Sequence, residues 1–263
     1  MTTEKPRPVR GHPGRQAHPQ QFRPRPKRTR EAGEVLYLYG LHTVELALKN
    51  PRRKALRLLA TRNAEARLAE RFPEGLPLTP ENTSPPALDR LLGSDAVHQG
   101  VALEVLPLSP LRTKDLSNAR IVLALDQITD PHNVGAILRT ASALGVDAVM
   151  TTARHSPAES GVLAKSASGA LDLMPIIEVR NLGDALQEAR DDGFQIVGLD
   201  SEGETALDAA ELRAPVLLVL GAEGKGLRQR SRELCDVLAR LDMPGPIKSL
   251  NVSNACALSL YVV

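Results

Sequence analysis

The 263 residues carry a formal net charge of only +2, and 42% of them are hydrophobic but only 2% aromatic. This length suits one large domain or two ordinary ones, and the scarcity of aromatic residues excludes nucleic-acid recognition that depends mainly on base stacking. The chain has no apolar run of about 18 residues and no apolar core behind its basic start, so the sequence predicts neither a membrane span nor a signal peptide.

The first predicted segment, 1–33, is a disordered basic tail. Residues 1–30 contain nine Lys and Arg against one acidic residue, so the other 233 residues carry a net charge of −6. A Pro-rich and Arg-rich segment with few large apolar side chains cannot bury enough surface to offset its ordering entropy. Such a tail attracts polyanions through counterion release. The alternative interpretation is a solubilising leader that has no partner.

A small α/β unit is predicted next, over 34–107. Leu41, Val44 and Leu48 recur at helical spacing, and they are followed by a strand in KALRLLAT and a helix in NAEARLAERF. A Pro-rich break precedes a short helix in PALDRLLG and a closing strand in GVALEVLPL. The segment 108–119 has turn formers and no periodicity, which predicts a linker.

The remainder, 120–263, is predicted to be a second α/β domain. Its apolar strands are IVLALD, DAVMTT, LMPIIEV, FQIVGLD and PVLLVLG, and helices are predicted in NVGAILRTASALG, AESGVLAKSAS, NLGDALQEARDDG and, at the end, SNACALSLYVV. Apolar strands that alternate with helices predict a parallel sheet covered on both faces. Ligands of such sheets bind beyond the carboxyl ends of the strands, and three polar or Gly-rich segments lie there.

The first of these segments is DPHNVGAILRTASALG. Asn133 falls at the N-cap or in the first turn of the predicted helix, and Gly135 allows another backbone to come close. Arg139 lies about two turns into this helix. An arginine on a helix is often a solvated charge, but the neighbouring residues favour a helix buried on most sides. These neighbours are Ile137, Leu138, Ala141 and Ala143.

The second segment is LGAEGKGL, which follows a buried strand and carries one carboxylate, Glu223. Its glycines at 221, 224 and 226 do not fit G-x-G-x-x-G, and Lys225 is followed by Gly226 where a phosphate-binding loop needs Ser or Thr. A nucleoside-triphosphate site is therefore disfavoured. The segment is either a turn that approaches a bulky ligand or a tight connection from strand to helix.

The third segment, DMPGPIKSLNVSNA, joins a stiff loop to the last helix. Pro244 and Pro246 fix φ, so that loop amides are held in place for a ligand. Ser249 and Asn251 add short hydrogen-bonding groups. The alternative is a helix N-cap followed by a packed terminal helix.

The cysteines argue against several kinds of site. Cys235 and Cys256 stand far apart and form no C-x-x-C pair, which disfavours a zinc ribbon, a disulfide scaffold and a thioredoxin-like site. No metal site is predicted, and a reducing cytoplasm is the simplest location.

Together and in this order, the three segments resemble the three motifs of the SpoU/TrmH branch of the SPOUT methyltransferases. These enzymes methylate ribose 2′-hydroxyls in RNA with S-adenosylmethionine. The resemblance covers 120–263 and includes KSASGALDLMPI, which is similar to the stretch that the family carries between its first two motifs. It implies a trefoil knot at the C-terminus that forms the cofactor pocket, with Gly221, Leu241 and Leu250 at the adenosyl cofactor. It also implies a homodimer.

The resemblance further implies roles for five residues. The family assigns the base for the 2′-hydroxyl to the arginine that matches Arg139, and Asn133 matches a supporting residue. A guanidinium has no ordinary acceptor, so Arg139 is equally suited to clamp an RNA phosphate while water or that phosphate takes the proton. Glu223, Ser249 and Asn251 match motif positions that would hold Arg139, the ribose or the cofactor.

The first α/β unit resembles the substrate-binding domain of the family members that act on large-subunit ribosomal RNA, a domain similar to ribosomal protein L30e. This similarity rests on YGLHTVELAL and on the order of the elements. It implies a guanosine of 23S rRNA as the target. The alternatives are methylation of transfer RNA and a non-catalytic role in RNA binding or ribosome assembly.

The basic tail yields a prediction about salt. Deleting 1–30 removes a net charge of +8, so RNA binding should weaken and its affinity should fall less steeply as salt is raised, because fewer counterions are released. Fluorescence anisotropy with labelled RNA at several salt concentrations measures both effects. Unchanged affinity and slope would favour the solubilising leader.

Overall fold

The computed structural model describes residues 35–111 and 116–263. The predicted tail over 1–33 lies outside the described residues, as does the stretch 112–115 of the predicted linker. No helix in the described ranges has both the length and the apolar character that crossing a membrane requires.

A four-stranded sheet with three helices comprises β1 (Leu36–Tyr39), α1 (Leu41–Lys49), β2 (Ala55–Ala60), α2 (Arg62–Ala69), β3 (Pro80–Asn82), α3 (Pro85–Leu92) and β4 (Val101–Val105). Its strand order is β1-β4-β2-β3. β4 pairs antiparallel with β1 and β2, whereas β3 pairs parallel with β2. Leu36 and Leu38 are buried on one face of β1, and the residues that alternate with them are less buried. This alternation is typical of a mixed sheet with one face on the core.

A seven-stranded parallel sheet and its helices comprise β5 (Ile121–Asp126), α4 (Pro131–Ala143), β6 (Ala148–Thr152), α5 (Gly161–Ala167), α6 (Ala170–Leu173), β7 (Ile176–Val179), α7 (Leu182–Asp191), β8 (Gln195–Leu199), β9 (Thr205–Ala206), β10 (Val216–Gly221), α8 (Gln229–Leu234), β11 (Val237–Arg240) and α9 (Val252–Val262). The strand order is β7-β6-β5-β10-β8-β11-β9, and every pair is parallel. β5 and β10 pair near the middle of the sheet and are almost wholly buried, as expected when helices cover both faces. The predicted α/β class is confirmed.

The predicted helices and strands are present near their predicted positions, but several short elements were not predicted. The Pro-rich break contains β3, and β9 has only two residues. α6 and α8 have four and six residues, too few for helical periodicity to stand out. β1 follows directly on the basic tail and depends on pairing with β4, about 65 residues away. A local pattern carries no information on such long-range pairing.

The two sheets meet where α5 and α6 pack against β1 and α1, a contact that we call the seam. Two glycines permit the close approach. A Cβ on Gly161 would lie 2.6 Å from the carbonyl oxygen of Tyr37, and a Cβ on Gly169 would overlap the side chain of Leu46. A larger residue at either position would push the seam apart.

A buried charge cluster crosses the seam. Arg53 Nε donates to Asp172 Oδ1 at 2.7 Å, and Arg53 Nη1 donates to Glu159 Oε1 at 2.5 Å. The side chains of Arg53 and Asp172 have no exposed surface. Burial alone lowers the pKa of the Arg53 guanidinium, but the hydrogen bonds and charges of the two carboxylates outweigh it and the pKa is raised. Removing one member would leave the others charged and buried.

Arg53→Ala should therefore lower the free energy of unfolding by about 3 to 5 kcal/mol, because the buried Asp172 carboxylate loses its cation. Urea unfolding followed by circular dichroism measures the change. The matched control is Arg57→Ala in β2, whose ion pair with Glu81 is exposed, and which should leave the midpoint nearly unchanged. Equal midpoints for the two variants would contradict a structural role for the cluster.

Candidate active site

Three loops leave the carboxyl ends of β5, β10 and β11 and meet at one edge of the parallel sheet. Gly221 at the end of β10 pairs with Asp126 at the end of β5, so the first two loops start side by side. β8 separates β10 from β11, yet residues 241–243 and 248–250 of the third loop line the same cleft as residues 220–226 of the second. The three motif segments therefore converge where ligands of parallel sheets bind.

The first loop passes into α4 through a capped turn. Asp130 is the N-cap, and its Oδ1 accepts a hydrogen bond from the His132 amide at 3.1 Å, which places Asn133 in the first helical turn. A Cβ on Gly135 would lie 2.5 Å from Ser166 Cβ and 2.8 Å from the Leu163 carbonyl oxygen. The close backbone approach expected at Gly135 is therefore made by α5.

The second loop is fixed at both ends. Gly221 leads out of β10, and Gly224 and Gly226 have φ angles of 72° and 64°, in the left-handed region that favours glycine. At the far end, fully buried Asp126 accepts hydrogen bonds from Arg228 N at 3.0 Å, Arg228 Nε at 2.6 Å and Ser231 Oγ at 2.7 Å. Charge-assisted bonds of this kind are strong. They hold the loop that carries Glu223 against β5.

One side chain from each motif joins a hydrogen-bonded group, which we call the Asn-Glu-Asn cluster: Asn133, Glu223 and Asn251. Glu223 Oε1 accepts from Asn133 Nδ2 at 3.1 Å and from Asn251 Nδ2 at 2.8 Å. Asn251 Nδ2 also lies 2.9 Å from Asn133 Oδ1, and the Val252 amide donates to Glu223 Oε1 at 3.2 Å. The predicted site residues Asn133, Glu223 and Asn251 are thus in direct contact.

The larger of two clefts beside the cluster has a volume of about 840 Å³. The carboxyl ends of β8, β10 and β11 and the third loop form its walls. It contains all three residues predicted to bind the cofactor as well as two of the predicted catalytic residues: Gly221, Leu241, Leu250, Glu223 and Ser249. Five residues that the three motifs pointed to therefore share one cavity.

The larger cleft also contains charged residues that the sequence analysis missed. Arg232 Nη1 donates to Asp200 Oδ2 at 2.7 Å, and Arg240 Nε donates to Asp242 Oδ1 at 2.8 Å. Lys248 Nζ donates to the carbonyl oxygen of Met243 at 2.6 Å. Asp200 follows β8 directly, so the rule that directed attention to the other strand ends would also have identified it.

The smaller cleft, of about 310 Å³, lies on the other side of the cluster. Both clefts are lined by Ala222, Glu223, Lys225 and Val252, whereas only the smaller one reaches Asn133 and His155. His155 follows β6 and was not predicted. Two clefts that share one wall form a site able to hold two reactants on either side of Glu223.

Arg139 does not join the cluster. It lies on the exposed face of α4 and has no hydrogen bond or ion pair to any residue in 35–111 or 116–263. Ala143, which we expected among buried neighbours, is also exposed. The buried residues of α4 are Val134, Gly135, Ile137, Leu138 and Ala141.

The two cysteines are free thiols near the site. Burial, and then the charge of Asp236, raises the pKa of the Cys235 thiol to about 12, and burial raises the pKa of Cys256 to about 12. Both thiols are therefore protonated at neutral pH, and neither resembles a catalytic cysteine.

The parallel sheet with its site at the carboxyl ends of the strands is that of an α/β protein, and comparison with known families identifies it as an enzyme of the SpoU methyltransferases. Residues 120–261 match the model of the SpoU rRNA methylase family. Residues 37–111 match the substrate-binding model of RNA 2′-O ribose methyltransferases. The chain belongs to the SpoU rRNA methylase family, and the resemblance inferred from the three motifs is confirmed.

Curated relatives match along most of their length. The 23S rRNA (guanosine-2′-O-)-methyltransferase RlmB of Pseudomonas aeruginosa is 37% identical over 237 residues, which cover 86% of this chain and 94% of that protein. The protein of the same name from Xylella fastidiosa is 43% identical over 182 residues, covering 66% and 73%.

A solved structure is also similar over most of its length. The SpoU methyltransferase AviRb from Streptomyces viridochromogenes, crystallised in complex with the cofactor AdoMet, aligns with a TM-score of 0.72 at 26% identity. The alignment covers 87% of this chain and 88% of that one.

Proposed function

We propose that this protein transfers a methyl group from S-adenosylmethionine to the ribose 2′-hydroxyl of a guanosine in 23S rRNA. The observation that carries the proposal is the Asn-Glu-Asn cluster between two clefts, because a transferase must hold donor and acceptor on either side of one reacting point. Relatives named for this reaction support the substrate. The 23S rRNA named for these relatives favours large-subunit RNA over transfer RNA, and residues 37–111 match a model of RNA substrate binding.

The larger cleft fits the cofactor. Its volume of about 840 Å³ lies within the range of small-molecule sites, and its lining combines backbone of the strand ends with polar and apolar side chains. S-adenosylmethionine, when bound, supplies an electrophilic methyl group on a cationic sulfur. Gly221, Leu241 and Leu250 would hold the adenosyl part, largely through backbone groups. Ser249 adds a hydroxyl to the same wall.

The smaller cleft is proposed to receive the ribose. Glu223 Oε1 already accepts from two side-chain amides and one backbone amide, so this oxygen orients Asn133 and Asn251. Oε2 has no hydrogen bond to another described residue, which leaves it able to accept from a ribose hydroxyl. In this role the cluster aligns the attacking oxygen rather than removing its proton.

Arg139 is proposed to act on the RNA side. A guanidinium has no acceptor, and the exposed position of Arg139 leaves it free to pair with a phosphate. An arginine held by the RNA backbone would orient the ribose for in-line attack, and water or that phosphate would take the proton. Its effect on the rate would come from positioning.

The direct experiment transfers labelled methyl from S-adenosylmethionine to unmodified 23S rRNA and, separately, to unmodified transfer RNA. The label is then mapped to nucleotide and atom. Label on a ribose 2′-oxygen of a guanosine in 23S rRNA is the expected result. Label on transfer RNA alone would favour the tRNA alternative. Absence of transfer to either RNA, with cofactor binding verified by calorimetry, would favour a non-catalytic RNA-binding protein.

Arg139→Ala should lower kcat by about 100-fold or more if Arg139 orients the attacking ribose. Steady-state kinetics with 23S rRNA measures kcat and KM separately. The matched control is Arg213→Ala, because Arg213 is also exposed but precedes β10, at the opposite edge of the sheet. A kcat within a few fold of wild type, with only KM raised, would reduce Arg139 to an RNA-binding residue.

A trefoil knot and a homodimer belong to the same proposal. Residues 220–226 line the larger cleft together with residues 241–243 and 248–250, which is consistent with a C-terminal segment that passes through an earlier loop. α9 packs on α4 but leaves Leu258, Tyr261 and Val262 exposed by 52%, 84% and 43%. An apolar helix face of this kind favours a second copy as its cover. A cytoplasmic location stays a prediction.

Tyr261→Arg should convert the dimer to a monomer, because it puts a charge into an apolar contact. Sedimentation velocity measures the change in mass. Arg90→Glu, a charge change at an exposed position on α3, serves as the control and should leave a dimer. A wild-type protein that sediments as a monomer would contradict the proposed assembly.

A further inference from the structure

Lys165 of α5 is a half-buried lysine in the seam with no anionic partner among residues 35–111 and 116–263. Its Nζ lies 2.5 Å from the point that a Cβ on Gly40 would occupy, and Gln99 Oε1 lies 3.2 Å from the same point. Gln99 Oε1 accepts from the Leu41 amide at 3.0 Å. Burial lowers the pKa of Lys165, since no nearby carboxylate offsets the loss of water around its charge. The ammonium group therefore lies half-buried without a counter-charge among the described residues.

A polar crevice opens beside Gln99. It has a volume of about 570 Å³ and lies at the carboxyl ends of β2 and β3. Gln99 lines the crevice and also approaches Gly40 next to Lys165. Arg62 is an exposed wall residue with no ion pair to another described residue. The other walls come mainly from Asn63, Asn82, Thr83 and Ser84.

Lys165 is also a sequence neighbour of a residue that contacts the candidate active site. The next residue, Ser166, has its Oγ 3.2 Å from His132 Nδ1. His132 precedes Asn133, a member of the Asn-Glu-Asn cluster. Gln99 and Lys165 thus both approach Gly40, and one contact between Ser166 and His132 joins α5 to the first turn of α4, which carries Asn133.

We propose that Lys165 and Arg62 bind phosphates of one RNA strand that runs from the polar crevice across the seam to the smaller cleft. A phosphate group would supply the counter-charge that Lys165 lacks, and replacing metal counterions on RNA favours binding. Amide and hydroxyl side chains in the crevice suit sugar and phosphate oxygens. The inference rests on the proposed function, because it presumes an RNA substrate.

The experiment compares RNA binding by Lys165→Met with that of the wild type. Methionine keeps much of the aliphatic length that packs in the seam but removes the charge. Losing one phosphate contact should reduce the steepness of the log–log salt dependence by about 0.7 to 0.9 and weaken binding about five- to eightfold at 0.1 M salt. Anisotropy with a labelled 23S rRNA fragment measures both, and Lys165→Arg should restore them.

Two further variants make the comparison specific. Lys54→Met removes an exposed lysine at the amino end of β2, opposite the crevice, and should leave the salt dependence unchanged. Arg62→Ala removes an exposed side chain that has no partner among the described residues, so the variant should fold normally. It should reduce the steepness of the salt dependence of RNA binding by a similar amount. The double variant should show about twice the loss. In kinetics, Lys165→Met should raise KM for RNA while kcat and S-adenosylmethionine affinity stay within about twofold of wild type.

The inference would be overturned if RNA binding by Lys165→Met and by Arg62→Ala showed the same salt dependence as RNA binding by the wild type. A loss of S-adenosylmethionine affinity equal to the loss of RNA affinity would also overturn it, because such a loss would indicate general disturbance of the fold. Failure of the proposed function gives a different result: the wild type would bind RNA but transfer no methyl, and the salt comparison would still decide the role of Lys165.

Discussion

One carboxylate, Glu223, joins three segments that lie far apart in the chain. Its Oε1 accepts from Asn133, from Asn251 and from the Val252 amide, and these residues are 28 to 90 positions away. A carboxylate oxygen with three donors lies at a well-defined point, because moving it lengthens three charge-assisted bonds together. Both clefts share this point as a wall. The two clefts therefore remain separate only while these three hydrogen bonds fix the position of Glu223.

Glu223 in turn depends on the parallel pairing of β5 and β10. The register that pairs Gly221 with Asp126 brings the start of the second loop beside a buried carboxylate, and Asp126 then binds the far end of that loop through Arg228 and Ser231. A parallel sheet covered on both faces excludes water from Asp126, which strengthens these bonds. The pairing of β5 with β10 and the hydrogen bonds of Asp126 therefore together determine the position of the Glu223 side chain.

The sequence could predict the sheet class, the longer elements and the motif residues, because each has a local signal. β1 and β3 could not be predicted, since they exist through pairing with β4 and β2 rather than through their own pattern. The same limit applies to the site. Asn133, Glu223 and Asn251 stand in recognisable motifs, and Asp200 stands at the end of a predicted strand. The pairing of Asp200 with Arg232 and the place of His155 in the smaller cleft emerge only when the strand ends are brought together. The exposure of Arg139 likewise depends on which face of α4 the sheet covers.

The seam shows how two buried cations differ in what they require. Arg53 has two carboxylates within 2.7 Å and a side chain with no exposed surface, so its charge is compensated inside the protein. Lys165 lies in the same contact but has no such partner among the described residues, and burial penalises its charge. A cation kept uncompensated costs stability. That cost is offset if an anion binds there, and RNA phosphate is the anion that an enzyme of this family meets in every catalytic cycle.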